Sequence, residues 1–157
     1  MPRSACVIEY EATFVFPVPV AQLWATMARV DCYSSWWSWL DEFSAEGAGL
    51  AQGTVLHGIV VPPLPYRMRL DVVVDDCVPE RSISARVHGD LEGAAQLTFD
   101  GNDAETRAHA MWTIEMMQRP MRMAARIAPP LLRWGHDRVV EATVDGFRRH
   151  VLEERRL

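Results

Sequence analysis

Residues 131–154, LLRWGHDRVVEATVDGFRRHVLEE, carry the long helical spacing that decides how this chain folds. Gly135 and Gly146 are eleven positions apart, almost three helical turns, so both lie on one side of the predicted helix. The same side carries the small or apolar residues Leu132, Val139, Thr143 and Phe147. We predict a helix from about Leu131 to Glu154, preceded by a turn or short helix because Pro129-Pro130 interrupts the pattern.

Upstream of this helix, alternating apolar and polar residues fill most of residues 7–117. The pattern is clear where Met68 and Leu70 alternate with Arg67 and Arg69. It predicts strands at residues 8–16, 54–61, 66–75, 82–88, 91–99 and 107–116, with a further strand beginning near Trp39. Between the first strand and Trp39, the spacing predicts two short helices, one after Pro19 and one with Asp31 as its N-cap.

An antiparallel sheet with one apolar face needs a cover over that face. The C-terminal helix is the only long cover that this pattern offers, so we predict the α+β class, with a seven-stranded curved antiparallel sheet wrapped around that helix. A sheet curled around one helix leaves space between the two, which predicts a cavity. Because no repeat, linker or low-complexity segment interrupts the sequence, residues 1–157 are expected to form a single domain.

Composition excludes some functions and disfavours others. The chain has 157 residues, 49% of them hydrophobic, a formal net charge of −5 and no lysine, since all sixteen basic residues are arginine. Schiff-base chemistry is therefore excluded. A mildly acidic chain without a basic stripe is also a poor candidate for nucleic acid or for anionic membrane surfaces. We expect no nucleic-acid partner and no membrane insertion.

The three cysteines indicate a reducing environment. They are far apart and form no CxxC pair for zinc or dithiol chemistry. No stretch reaches 18 apolar residues, and the first twenty residues do not resemble a secretion signal. A cytoplasmic protein, monomeric or homodimeric, is the expectation.

Two segments carry a resemblance to a known superfamily. The first is Phe16-Pro17-Val18-Pro19-Val20-Ala21-Gln22-Leu23-Trp24, followed by Trp36-Trp37. The second is Arg133-Trp134-Gly135-His136-Asp137-Arg138-Val139-Val140, with Gly146-Phe147 beyond it. Together with the order of elements, they resemble the START-like, Bet v 1-like (SRPBCC) superfamily, and in particular its small bacterial polyketide cyclase/dehydrase-type members.

The resemblance implies the helix-grip fold, with a deep cavity between the curved sheet and the last helix. Members of the superfamily include non-catalytic carriers of lipids and hormones, aromatase/cyclases and co-chaperones. By position, the resemblance implies that the loop Pro62-Pro63-Leu64-Pro65 gates the mouth of the cavity and that the turn His88–Leu91 forms a second mouth loop.

His57 is the one candidate for catalysis. It lies mid-strand in Thr54-Val55-Leu56-His57-Gly58-Ile59, where neither face is plainly polar, so the direction of its ring is open. Inside an apolar cavity, an imidazole can act as a general base or orient a ligand carbonyl, with Tyr10 or Tyr66 as partner. The alternative is an exposed or hydrogen-bonded strand histidine.

The residues predicted to contact a ligand are those expected to face the cavity from the sheet, the short helices and the long helix. They are Tyr10, Trp36, Trp37, His57, Met68, Leu70, Ile83, Leu97, Ala110, Trp112, Met116, Leu131, Gly135 and Val139. Large aromatic side chains can stack on a planar ligand or simply close the core. The small residues either leave volume for a ligand or let helix and sheet approach closely.

Other polar residues are assigned to the surface or to the framework. Arg67, Arg69 and Arg86 are predicted to face outward, although a slip of one residue in a strand would turn an arginine into the cavity. His136 is expected to be structural. No nucleotide-, phosphate- or metal-binding motif is present, so we expect no cofactor and no metal.

Three functions remain open at this point. The first is binding of a hydrophobic small molecule, such as a lipid or a polyketide-like metabolite, which predicts an apolar cavity with few polar groups. The second is a polyketide aromatase/cyclase or dehydratase, which predicts an inward histidine with a hydroxyl or carboxylate partner. The third is a co-chaperone-like interaction module, which predicts a filled core and an exposed apolar patch.

Overall fold

The computed structural model describes residues 6–47 and 49–155, which contain a seven-stranded antiparallel sheet. The strands are β1 (Val7–Phe16), β2 (Leu40–Glu46), β3 (Val55–Val60), β4 (Met68–Val78), β5 (Ser82–Gly89), β6 (Leu91–Gly101) and β7 (Thr106–Met116). Their order in the sheet is β1-β7-β6-β5-β4-β3-β2, so each strand from β2 to β7 pairs with its neighbours in sequence. The predicted helix-grip architecture is confirmed.

The helices occupy both ends of the sheet's concave side. Two short helices, α1 (Val20–Met27) and α2 (Tyr33–Trp36), follow β1, and α3 (Arg119–Ile127) and α4 (Pro129–Arg155) follow β7. Pro129 occupies the first position of α4, where a proline costs no hydrogen bond. The predicted boundary at the proline pair is therefore correct.

Asp31 is not the N-cap of the second short helix. It lies inside a short 3-10 helix, Val30–Cys32, and the residue before α2 is Cys32, whose side chain makes no capping bond. The backbone of Cys32 is already helical, with φ −94° and ψ −9°, so the 3-10 helix runs directly into α2. The predicted pair of short helices is right, and the predicted cap is wrong.

Buried side chains form two clusters, one at each end of the space between sheet and α4. The first joins α1 and α2 to the C-terminal half of α4 through Leu23, Trp36, Phe147 and Val151. The second joins α3 and the start of α4 to β4, β6 and β7 through Met68, Leu91, Met116, Met121 and Leu132. The two clusters hold α4 against the sheet at both ends, and they leave the middle of the sheet without a close-packed cover.

The outer edge of β1 is held by arginines from α4. Arg133 donates a hydrogen bond to the backbone oxygen of Glu9 at 3.0 Å, and Arg148 donates one to that of Val15 at 3.2 Å. At the same end, Gln22 of α1 donates to the backbone oxygen of Val151. These bonds fix the position of α4 relative to the sheet edge. Within the described ranges, no helix is both long and apolar enough to cross a membrane.

Candidate functional site

A cavity of about 510 Å³ lies between the concave face of the sheet and α4. Strand alternation supplies its floor: Met68, Leu70, Val72 and Val74 of β4 all line it, and the residues between them do not. Neighbouring strands continue the same surface, because Ile83 pairs with Leu97 and Leu97 pairs with Ala110. Among the described residues that line the cavity, none is an arginine, an aspartate or a glutamate.

Most of the predicted ligand contacts lie in the cavity wall. These are Trp36, Trp37, Met68, Leu70, Ile83, Leu97, Ala110, Trp112, Met116, Gly135 and Val139. Their contact with a ligand stays a prediction, since the structure gives only their position. His57, Tyr10 and Leu131 are placed elsewhere.

His57 lies on the outer face of the sheet. Leu56 and Val60 of the same strand line the cavity, so the alternation turns His57 away from it. Its Nδ1 is 2.5 Å from a carboxylate oxygen of Asp71, and its Nε2 is 3.4 Å from one of Glu46. These two carboxylates raise the pKa of His57 above its ordinary value, the Asp71 hydrogen bond being the larger cause. The structure therefore places His57 outside the cavity wall, where the predicted catalytic or ligand-binding role would have required it.

Tyr10 packs behind the cavity wall and does not line it. Its ring stacks on Trp112 with a centroid separation of 4.6 Å and meets His136 edge-on at 5.2 Å. Together with Arg133 and Asp137 of α4, it borders a separate outer hollow between β1 and α4. The predicted strand face was correct, but the residue sits at the sheet edge, where Trp112 lies between it and the interior.

Leu131 is half-exposed at 49% of its surface, whereas Leu132 is 6% exposed and lines the cavity. Consecutive helical residues are rotated by about 100°, so a helix that turns Leu132 inward turns Leu131 away. The inward stripe of α4 continues with Gly135, Val139 and Thr143. Including Leu131 in the predicted site was an error of helix phase.

Trp36 and Trp37 both line the cavity, although adjacent residues on a helix cannot face one way. The helix α2 ends at Trp36, and Trp37 has an extended backbone with φ −126° and ψ 110°. The indole N–H of Trp37 donates to the backbone oxygen of Thr143 in α4 at 2.9 Å. The break in the helix lets two large rings cover the same end of the cavity.

His136 is the polar residue of the cavity wall that the sequence did not single out for function. Its side chain is 10% exposed, its Nε2 accepts a hydrogen bond from Trp112 Nε1 at 3.1 Å, and its Nδ1 is 2.9 Å from Asp137 Oδ1. Since the Trp112 indole can only donate, Nε2 must carry the lone pair and Nδ1 the proton. Burial lowers the pKa of His136 below its ordinary value, although the Asp137 carboxylate acts in the opposite direction.

A sequence signal for His136 was available. His136 lies one turn before Val140 and one position after Gly135, which places it on the inward stripe of α4. It was expected to be structural, since it flanks the inward stripe of α4 and the resemblance transfers no catalytic role to it. In this arrangement, a neutral imidazole borders an apolar space and is hydrogen-bonded through both of its ring nitrogens.

The loop between β3 and β4 lies against α4 at the mouth of the cavity. Pro62 and Leu64 line the cavity, and a Cβ atom added at Gly135 would overlap the side chain of Leu64. Across the mouth, the turn between β5 and β6 depends on Gly89, whose φ of +116° disfavours any other residue. Leu91, the first residue after that turn, also lines the cavity. Both loops thus contribute residues to the cavity lining, and their role as mouth loops stays a prediction.

The outward arginines are paired on the outer face of the sheet. Arg67 bonds Asp41 at 2.8 Å, and Arg86 bonds Asp75 at 2.9 Å. The predicted strand parity is therefore correct at these positions, and neither guanidinium lies in the cavity wall. Within the described part of the chain, no group of three His, Cys, Asp or Glu side chains could hold a metal ion.

Comparison with known proteins finds relatives by structure. No protein-family profile and no curated protein sequence matches the chain. A protein of Thermus thermophilus superposes with a TM-score of 0.75 at 15% identity, over 94% of this chain and 99% of that one. The Zhui aromatase/cyclase of Streptomyces gives 0.74 at 14% identity, over 92% and 93%.

A plant enzyme shares the same architecture. Norcoclaurine synthase from Thalictrum flavum, in complex with dopamine and hydroxybenzaldehyde, superposes with a TM-score of 0.64 at 13% identity, over 94% of this chain and 87% of that one. At these identities the likeness concerns the fold. This chain has the helix-grip fold of the Bet v 1-like (SRPBCC) proteins.

Proposed function

We propose that this protein binds a hydrophobic small molecule, such as a lipid or a polyketide-like metabolite, in the cavity between sheet and α4. The observation that carries the proposal is a space of about 510 Å³ whose described lining residues include no Arg, Asp or Glu. Ligand sites in proteins typically enclose about 300–1,000 Å³. Protein interiors are normally close-packed, so an unfilled space of this volume favours a ligand-binding role.

Two hydroxyl groups of the cavity wall are bonded within the protein, whereas the buried indole N–H of Trp39, which also lines the cavity, has no partner among the described residues. The Tyr33 hydroxyl donates to Met27 O at 2.6 Å, and the Thr143 hydroxyl donates to Val139 O at 2.7 Å. Binding energy would therefore come mainly from buried apolar surface, at about 25 cal/mol per Å² before ordering costs. The rings of Trp36 and Trp37 favour ligands with a flat portion.

Native mass spectrometry of freshly purified protein, repeated after organic extraction, tests this proposal. We expect an adduct of a few hundred daltons that extraction removes. Ala95 of β6 lines the cavity, so Ala95→Phe fills part of the space and should abolish the adduct. Ala94, its neighbour on the opposite face, is exposed, and Ala94→Phe is the matched control that should retain the adduct. A clean apo mass for both wild type and control would contradict the proposal.

A polyketide aromatase/cyclase or dehydratase is the second candidate, and His136 is the observation that favours it. Its imidazole borders the cavity and has a carboxylate partner, as this function requires. A base at Nε2 would first have to exchange the Trp112 hydrogen bond for one to the substrate. With a linear poly-β-ketone thioester as substrate, His136→Gln should abolish turnover and keep binding; unchanged turnover would exclude this role.

The co-chaperone-like function is the weakest of the three. It predicts a filled core, whereas this protein has a cavity of about 510 Å³ between its two buried clusters.

A further inference from the structure

An exposed apolar surface lies outside the cavity, on the outward sides of α3 and of the first turns of α4. Its four large members are Met123, Ile127, Leu131 and Trp134, which are 63%, 77%, 49% and 48% exposed. They come from consecutive parts of the chain, and two of them share a helix face in each helix because they are three or four residues apart. We call this surface, with Arg119 and Arg126, the outward α3–α4 face.

The two helices pack on one buried cluster and expose these residues to solvent. Met121 and Ala125 of α3 pack in the same buried cluster as Leu132 of α4. Since both helices turn their buried sides to one cluster, their exposed sides both point away from it. The large exposed apolar residues of the two helices therefore lie on the solvent side of this cluster.

Positive charge surrounds this apolar surface. Residues 115–141 contain five arginines and three acidic residues, a formal charge of +2 in a chain whose net charge is −5. Arg119 and Arg126 lie on the same face of α3 as Met123, because seven residues make almost two full turns. Both are exposed, and neither forms an ion pair within the described ranges. The net charge of the whole chain conceals this local excess.

We propose that the outward α3–α4 face docks on an anionic lipid bilayer. The apolar side chains can enter the acyl boundary of the bilayer, and the exposed arginines beside them can contact the negatively charged headgroups. Trp134 adds a ring with an apolar body and a polar N–H, which suits the headgroup level. The expectation from net charge, that the chain is a poor candidate for anionic membranes, is thereby revised for this face.

The docking surface borders the mouth of the cavity. Gln118, just before α3, donates to the backbone oxygen of Arg67 beside the β3–β4 loop, and Leu64 of that loop contacts Gly135 of α4. Bilayer contact at this face brings the β3–β4 loop to the membrane surface. If the proposed binding of a hydrophobic molecule holds, this gives the molecule a path between bilayer and cavity; docking itself requires no ligand.

Co-sedimentation with phosphatidylcholine vesicles, with and without phosphatidylglycerol, tests the proposal. Wild type should partition onto the vesicles that contain phosphatidylglycerol, and added salt should weaken the binding. The double variant Arg119→Ser/Arg126→Ser should lower the partition coefficient roughly tenfold or more. The control Arg81→Ser/Arg149→Ser removes two exposed arginines from other parts of the surface and should bind like wild type.

The apolar component has its own matched pair of variants. Met123→Ser/Ile127→Ser should abolish partition, whereas Val78→Ser/Met111→Ser, which removes apolar residues of similar kind from the outer face of the sheet, should not. In wild type, vesicles should shift tryptophan emission to the blue, and Trp134→Phe should remove the shift. All of these residues are exposed, so unfolding curves should match wild type and exclude misfolding as the cause.

Several outcomes would overturn the proposal. Absence of partition onto anionic vesicles would refute it, and so would equal partition onto neutral ones or equal loss in the control variants. A concentration-dependent dimer in light scattering that Met123→Ser/Ile127→Ser dissociates would assign the face to a second copy of the chain instead. Because the vesicle assay detects the protein and not a ligand, its failure would leave the test of the cavity unaffected.

Discussion

The indole N–H of Trp112 on β7 and the imidazole of His136 on α4 are joined by a hydrogen bond of 3.1 Å. It is a side-chain link between the sheet and the long helix at the cavity wall, and Tyr10 packs on both rings. With Asp137 on the other nitrogen, the imidazole is held in one tautomer. The stability of helix and sheet together, and the protonation of His136, should therefore depend on Trp112.

Trp112→Phe should destabilise the protein by about 1–3 kcal/mol, because it leaves the buried Nε2 of His136 without a donor. The pKa of His136 should rise in the variant, since the N–H that occupied its lone pair is gone. Chemical denaturation measures the first effect and NMR titration of the imidazole the second. Trp24→Phe, where the indole contacts Phe99 through its ring, is the control for ring size and should leave the His136 titration unchanged.

His57 and His136 should give opposite pH signatures. The pKa of His57 is raised in the folded state, so its contribution to stability is full below about pH 6.5 and is lost as pH rises through the folded pKa. The pKa of His136 is lowered, so its contribution is present above about pH 6.5 and is lost as pH falls.

Unfolding free energies of His57→Gln and His136→Gln, each compared with wild type between about pH 5 and pH 8, measure these signatures. The deficit of His57→Gln should be largest at the acid end, and that of His136→Gln at the alkaline end. Two deficits with the same pH slope would contradict the placement of one of the histidines.

Gly135 and Gly146 should respond differently to alanine. A Cβ at Gly146 would lie 2.7 Å from the backbone oxygen of Trp36, which cannot move without shifting α2. A Cβ at Gly135 would meet the end of the Leu64 side chain, which can rotate. We expect Gly146→Ala to cost about 1–3 kcal/mol and Gly135→Ala to be nearly neutral, since alanine favours the helix by about 1 kcal/mol.

Thermal and urea unfolding of the two glycine variants provides the comparison. If the Leu64 side chain rotates to accept the new Cβ, adding Leu64→Ala to Gly135→Ala should not raise the free energy of unfolding. A large restoration would mean that the β3–β4 loop is held rigidly against α4.

Leu131→Ala and Leu132→Ala test the phase of α4. Leu132 is buried at the cavity wall, so its truncation should cost about 2 kcal/mol, at the low end for a core leucine because the site already borders open space. The exposed Leu131 should cost no more than about 0.5 kcal/mol. Equal costs in urea denaturation would show that the helix is rotated from the orientation described.

The fold was predictable because its pattern is locally consistent. Met68 and Leu70 alternate with the arginines at 67 and 69, and the structure places the two sets on opposite faces. In β3 the alternation is absent, because both faces of the strand carry apolar residues and the sequence does not show which way His57 points. Only the pairing of β3 with its neighbours, Ser44↔His57 and His57↔Asp71, fixes its direction.

The candidate site was less predictable at its margins. The helical spacing of Leu132, Gly135 and Val139 puts Leu132 on the inward side of α4, so the predicted contact at Leu131, one position earlier, did not follow that phase. The alternation in β1 predicted the correct face for Tyr10. Whether a residue on that face reaches the cavity depends on how far α4 extends over the sheet edge. His136 lies beside the inward stripe of α4, but its helical position does not show that its imidazole accepts a hydrogen bond from Trp112 of β7.

The arginine bonds from α4 to the edge of β1 have a consequence for the protein at high concentration. An unpaired strand edge can recruit a strand from another molecule and start aggregation. Arg133 and Arg148 occupy the carbonyl groups of Glu9 and Val15 on that edge. At the opposite edge, β2 is interrupted by an irregular register between Asp41 and Ser44. One edge of the sheet is thus partly covered by α4 and the other has an irregular register, and both features disfavour pairing with a strand from a second molecule.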